Sequence, residues 1–82
     1  MSLKRRFERA TKKVWRLNIK PDNNTLLRLY ALYKQATDGD CEGRARGGMK
    51  ERAKHKAWFK VNGISEVDAM EQYCGLVKSL MG

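Results

Sequence analysis

Apolar residues in this chain recur at steps of three and four along four separate segments and nowhere alternate with polar ones, which confines the fold to helices packed through one face. Leu3, Phe7, Ala10, Val14 and Leu17 make the first stripe. The helix carrying it is expected to stop by Asn18 to Lys20, because Pro21 disfavours helical geometry in the residue before it. Asp22, Asn23 and Asn24 are competent N-caps, so a second helix is expected from there to about Thr37, ended by Asp38-Gly39-Asp40. The following CEGRARGGM has glycines at 43, 47 and 48 and no period, which reads as a loop. A third helix is expected from about Lys50 to Val61, facing the core through Ala57, Trp58 and Val61, with Asn62-Gly63 as its stop. Ser65-Glu66-Val67-Asp68 is a capping-box type of start for a fourth. Its face, built from Val67, Met70, Tyr73, Cys74, Val77, Leu80 and Met81, is the best partner for the first two helices. The reading is all-α, a four-helix bundle of antiparallel type.

Size and charge narrow the function. At 82 residues the chain is expected to be a single domain, residues 1–82, with most apolar positions committed to one core. A net charge of +9 favours polyanionic partners: nucleic acid, anionic lipid headgroups or phosphorylated cofactors. No apolar run approaches the length of a membrane span, and MSLKRRFERATKK has charge where a signal peptide carries its apolar core, so a cytoplasmic protein is expected. Cys41, in the Gly-rich loop, reads as a solvent-exposed free thiol, and Cys74 as a second unpaired one. His55 stands between Lys54 and Lys56 with no ligand set spaced around it, so no metal site is expected. No nucleophile is spaced against an activating base, and neither a P-loop nor a dinucleotide fingerprint is present, so neither an enzyme nor catalytic residues are expected.

The second helix has one face too many. On a wheel of about 100° per residue, Leu32, Ala36, Leu29, Tyr33, Leu26, Tyr30, Lys34 and Leu27 fill an arc of roughly 220°, against the roughly 100° that packs a surface helix. Leu29, Leu32 and Ala36 satisfy the interior. Leu27, Tyr30, Tyr33 and Lys34 are left to meet something flat, apolar and negatively charged. Tyr30, Tyr33 and Lys34 stand at i, i+3 and i+4, a patch the size of one nucleotide, where a ring stacks on a base and a lysine reaches a phosphate. Leu26 and Leu27 extend that patch with apolar surface. Core packing accounts for the tyrosines equally well if they are taken alone. A basic helical module binding nucleic acid or another polyanion is the alternative, although no helix-turn-helix or other recognition signature accompanies the charge.

YALYKQATDGD resembles the central signature of the acyl-CoA-binding protein family, a Tyr-x-x-Tyr-Lys-Gln-Ala-Thr-x-Gly-Asp run closing the second of four helices. Phe7-Glu8-Arg9-Ala10 with Val14 and Leu17, Lys20-Pro21, Lys54 with Ala57-Trp58, and Gly63-Ile64-Ser65 through Asp68-Ala69-Met70 and Tyr73 are similar to other family segments in the family's order. The resemblance runs from about Phe7 to Val77. It implies a four-helix bundle of the acyl-CoA-binding protein type and a carrier that sequesters or delivers fatty acyl-coenzyme A without chemistry. It implies further that Tyr33 stacks on the adenine, that Tyr30, Lys34 and Lys54 hold the ribose 3′-phosphate, and that Tyr73 completes the pocket. Leu26 and Leu27 match acyl-chain positions, as do Phe7, Ala10 and Val14 of the first helix. The expected partners are long-chain or medium-chain acyl-CoA, with transient contact to an anionic membrane or to acyl-CoA-using enzymes. A monomer without specific nucleic-acid binding is expected. Trp15 stands where the family often has a phosphate-reaching lysine, so that contact is either absent or taken over by Lys12, Lys13 or Arg16. His55 stands where the family usually has a tryptophan ahead of Trp58.

Overall fold

The computed structural model describes residues 2–17 and 20–81, and within them there are four helices and no strand. The expected stop at Asn18 to Lys20 falls partly outside the described residues. α1 spans Leu3–Val14, α2 Asn23–Thr37, α3 Met49–Lys60 and α4 Glu66–Leu80. Three begin with a side chain that takes an orphan amide: Ser2 accepts from the Arg5 N–H at 3.2 Å, Asp22 from Thr25 at 2.7 Å and Ser65 from Asp68 at 3.1 Å. That bond holds the Asp22 carboxyl below its ordinary range. α3 starts at Gly48 with no side-chain cap. α2 closes when the Asp38 N–H donates to the Lys34 carbonyl at 2.7 Å, and Gly39, at φ 86°, then turns the chain as a β-carbon would resist.

α1 ends sooner than its apolar stripe suggests. The N–H groups of Trp15 and Arg16 donate to the carbonyls of Lys12 and Lys13, three residues back, at 3.2 and 2.9 Å. The last turn is thereby tightened, and Leu17 enters its half-buried position from a turn instead of a helix.

α4 packs between α1 and α2, and α3 packs on the far side of α2, giving the order α3, α2, α4, α1. The core consists of Phe7 and Ala10 from α1, Leu29, Leu32 and Ala36 from α2, and Ala69, Tyr73 and Val77 from α4. Ala69 is 0% exposed, and its small side chain lets the backbones approach. The buried stripe of α4 follows Ala69, Tyr73 and Val77, so Val67 and Met81, expected on it, stand more than half exposed. α3 buries no residue completely; Ala57, Trp58 and Val61 are half-buried against α2.

A polar cluster closes the α2–α3 end. Gln35 is 1% exposed; its Nε2 donates to Asp40 Oδ1 at 2.7 Å and to the Ile64 carbonyl at 2.8 Å, while its Oε1 accepts from Trp58 Nε1 at 3.2 Å. Trp58 Nε1 also donates to the Gly39 carbonyl, at 2.9 Å, and the Gly63 N–H donates to Asp40 Oδ1 at 2.8 Å. Asn62 pairs both ways with the Cys41 backbone, accepting its N–H at 2.7 Å and donating to its carbonyl at 3.1 Å. The YALYKQATDGD run therefore gives Gln35, Gly39 and Asp40 to the scaffold. Cys41 is a correction to the exposed thiol expected: it is 4% exposed, and burial pushes its pKa up, away from the reactive thiolate. Loop composition indicated exposure, but Asn62 draws this residue inward.

Candidate functional site

The over-wide arc of α2 is shared among three neighbours. Leu29, Leu32 and Ala36 enter the core against α4, Ala31 and Gln35 are buried on the α3 side, and Leu26, Tyr30 and Tyr33 line an open groove of about 880 Å³. α1 supplies Thr11 and Val14 to that groove, α3 supplies Lys54 and α4 supplies Tyr73, so its walls come from all four helices. Trp15, Leu17, Lys20 and Pro21 complete the end where α1 passes into α2.

Aromatic rings join groove and core. Tyr33 stacks on Phe7 with centroids 5.9 Å apart and planes 24° apart, and Tyr73 meets the edge of Phe7 at 5.1 Å and 71°. Phe7 is 4% exposed and anchors the pair, whereas Tyr33 is 42% exposed and offers a ring to the groove. Such pairs favour offset or edge geometry because ring faces are negative and edges positive. Lys54 Nζ lies 5.4 Å from the Tyr30 ring centroid, which brings a cation from α3 across to the tyrosine of α2. An aromatic face, a nearby cation and an apolar extension along Val14, Leu17 and Leu26 thus share one surface.

The expected residues separate on this frame. Tyr30, Tyr33, Lys54, Tyr73, Val14 and Leu26 line the groove together. Phe7 and Ala10 do not line it: Phe7 lies beneath Tyr33, and Ala10 is 6% exposed in the core. Leu27 lines a different groove, on the α2–α3 side, with Ala31, Ala53 and Ala57. At the far edge of the arc, it points to α3. Lys34 shares that edge; its Nζ is ion-paired with Asp38 and lies 5.1 Å from the Trp58 ring centroid. The hydrogen bond that Lys34 donates to the Asp38 carboxylate is the main cause that raises its pKa, so the lysine is a committed cation. Thr11, Leu17 and Leu29 went unnamed as site residues; Thr11 is adjacent to Val14 on the wheel of α1, a signal that was available.

Tyr73 gives the site a pH signature. Its phenol is pushed up to about 12, burial being the main cause, with Tyr33 and Cys74 adding to it. A raised folded-state pKa means that the native state holds the proton more tightly. Its stabilisation is complete below the ordinary value of 10.0 and is lost as pH rises through that value toward 12. Urea unfolding at about pH 9 and about pH 11 should therefore show wild type losing on the order of 1 kcal/mol more than Tyr73→Phe. Equal losses in the two proteins would put the titration elsewhere.

These features define a class: a small all-helical binding domain with an open, aromatic-floored and lysine-flanked groove suited to an anionic ligand with a flat group and an apolar part. The family model described as Acyl CoA binding protein matches residues 4–77, and the chain belongs to the acyl-CoA-binding protein family. It is 47% identical to the acyl-CoA-binding protein of Brassica napus, covering 99% of this chain and 90% of that one. The corresponding values for the acyl-CoA-binding protein homolog of Manduca sexta are 43%, 99% and 93%. The crystal structure of Oryza sativa Acyl-CoA-Binding Protein 2 superposes with a TM-score of 0.92 at 38% identity, covering 98% of this chain and 91% of that one. The fold is thus the four-helix bundle of this family.

Proposed function

We propose that residues 1–82 act as a single acyl-CoA-binding domain, a cytoplasmic monomer that holds medium-chain or long-chain acyl-CoA thioesters non-covalently, sequestering and transporting them. The observation that carries this reading is the convergence of Tyr33, Tyr30 and Lys54 on one groove that continues over Val14 and Leu26. In this reading Tyr33 stacks on the adenine, Lys54 and Tyr30 hold the 3′-phosphate, and Tyr73 walls the ligand. Lys34 joins the phosphate by leaving Asp38. The acyl chain lies along the apolar end, where Leu17 and Leu29 extend the surface of Val14 and Leu26. No bond is made or broken in this role. Acyl-CoA-using enzymes and anionic membranes are the transient partners that a carrier needs for loading and release.

Calorimetry with a long-chain acyl-CoA, free coenzyme A and a duplex oligonucleotide tests the reading. Affinity should rise with acyl length by up to about 0.8 kcal/mol for each methylene buried, then level off once the chain outruns the groove. Oligonucleotide binding as tight as acyl-CoA binding, without dependence on the acyl chain, would replace this reading with the polyanion module.

A further inference from the structure

We propose that α1 and the Trp15 turn form a docking face for an anionic lipid surface, one that brings the apolar end of the ligand groove against the bilayer. α1 packs on α4 and reaches α2 through Phe7 beneath Tyr33, both with its inward face, so its outward side is free of other helices. That side carries Arg5, Arg9, Lys12 and Lys13 along a helix roughly 18 Å long, with Arg16 in the turn that follows, all five exposed. None of them forms an ion pair with another described residue, and the one acid of α1, Glu8, leaves their charge largely uncompensated. Arg6, Arg9 and Lys13 continue the basic surface into the α1–α4 groove, where Lys78 adds to it and Glu71 is the one acid.

Trp15 decides which polyanion this surface fits. It is 88% exposed at the end of the basic stripe, and it lines the ligand groove beside Val14 and Leu17. Indole rings partition to the membrane interface, where one part is apolar and the other hydrated, whereas the phosphate backbone of a duplex offers an isolated indole no such seat. The apolar face of α1 is already used by Phe7 and Ala10 in the core, so this helix cannot insert. Docking is therefore peripheral, driven by the cations and located by one indole. In purpose the inference rests on the acyl-CoA reading, since an acyl chain gains from a groove that opens where it leaves the bilayer; in its test it stands apart.

The experiment is sedimentation with phosphatidylcholine vesicles, with and without phosphatidylserine, using wild type and the double variant Arg5→Glu/Arg9→Glu. Both arginines lie outside the ligand groove. Wild type should bind only the phosphatidylserine vesicles, increasingly weakly as salt is raised, with a blue shift of tryptophan emission that Trp15→Phe lacks. The double variant should lose roughly 30-fold or more in partition, the equivalent of about 1 kcal/mol for each basic residue at the surface. Its circular dichroism and its acyl-CoA affinity in vesicle-free solution should remain those of wild type. Binding that ignores phosphatidylserine, a double variant that binds as wild type does, or tighter retention on duplex DNA than on the anionic vesicles at equal salt would overturn the proposal. Vesicle docking by a wild type that fails to bind acyl-CoA would uphold this surface and remove the reading of the groove.

Discussion

Replacing Gln35 with leucine should cost the fold about 3 kcal/mol, a fall in Tm of roughly 15 °C for a domain of this size. The side chain is buried, and its amide spends both donor and acceptor on Asp40, the Ile64 carbonyl and Trp58. Leucine fills much of the volume and none of the hydrogen bonds, so the Ile64 carbonyl loses its side-chain partner while Trp58 and Asp40 each lose one of two. Packing and hydrogen bonding make opposite forecasts: if volume were what mattered, leucine would be nearly neutral and alanine costly. Hydrogen bonding predicts comparable losses for both in urea unfolding. Gln35→Glu adds a further check. Its carboxylate would face Asp40, whose own carboxyl is held low by the Gly63 N–H and the Gln35 amide. The repulsion raises the pKa of the introduced acid, so stability should recover as pH falls and decline as pH rises.

Lys54→Ala should weaken acyl-CoA binding by about 1.5–3 kcal/mol, or roughly 10- to 150-fold, if its ammonium makes charge-assisted hydrogen bonds to one phosphate. Lys54 is exposed and already leans over Tyr30, so it has little to give up on meeting a ligand. Lys34 must first leave Asp38 and the Trp58 ring, so Lys34→Ala should cost less than Lys54→Ala. Arg5→Ala should leave the affinity unchanged in calorimetry. Equal losses from Arg5→Ala and Lys54→Ala would mean that diffuse charge, and no shaped phosphate site, is what holds the ligand.

All four helices were legible from their apolar spacing, and for α2 and α4 the caps agree with it. Ser65 and Asp22 cap as expected, and α2 ends at Thr37. The end of α1 was not legible, since Leu17 keeps the helical interval while the backbone has already tightened at Trp15. In the site, Tyr30, Tyr33, Lys54 and Tyr73 were readable because the resemblance placed residues from three helices together. Leu27 and Lys34 stand outside the groove lining for a geometric reason. A wheel gives the width of an apolar arc, but only the packing of α3 reveals that its far edge belongs to another neighbour. Gln35 escaped notice because a polar residue in a core is recognisable only through its partners, which come from positions as distant as Ile64.

The clamp around Gly39, Asp40 and Cys41 also changes what the long connection between α2 and α3 is for. Its first residues are tied to Trp58, Gly63 and Asn62, and Gly43 is tied by its carbonyl to His55 Nε2 at 3.1 Å. Beyond that clasp, Arg44, Ala45 and Arg46 belong to no helix and line neither the ligand groove nor the α2–α3 groove. Length there is decoupled from the architecture: doubling it costs only about 0.6 kcal/mol in closure entropy. Residues can be inserted or deleted there, or a reporter grafted in, while the rest of the protein keeps its shape.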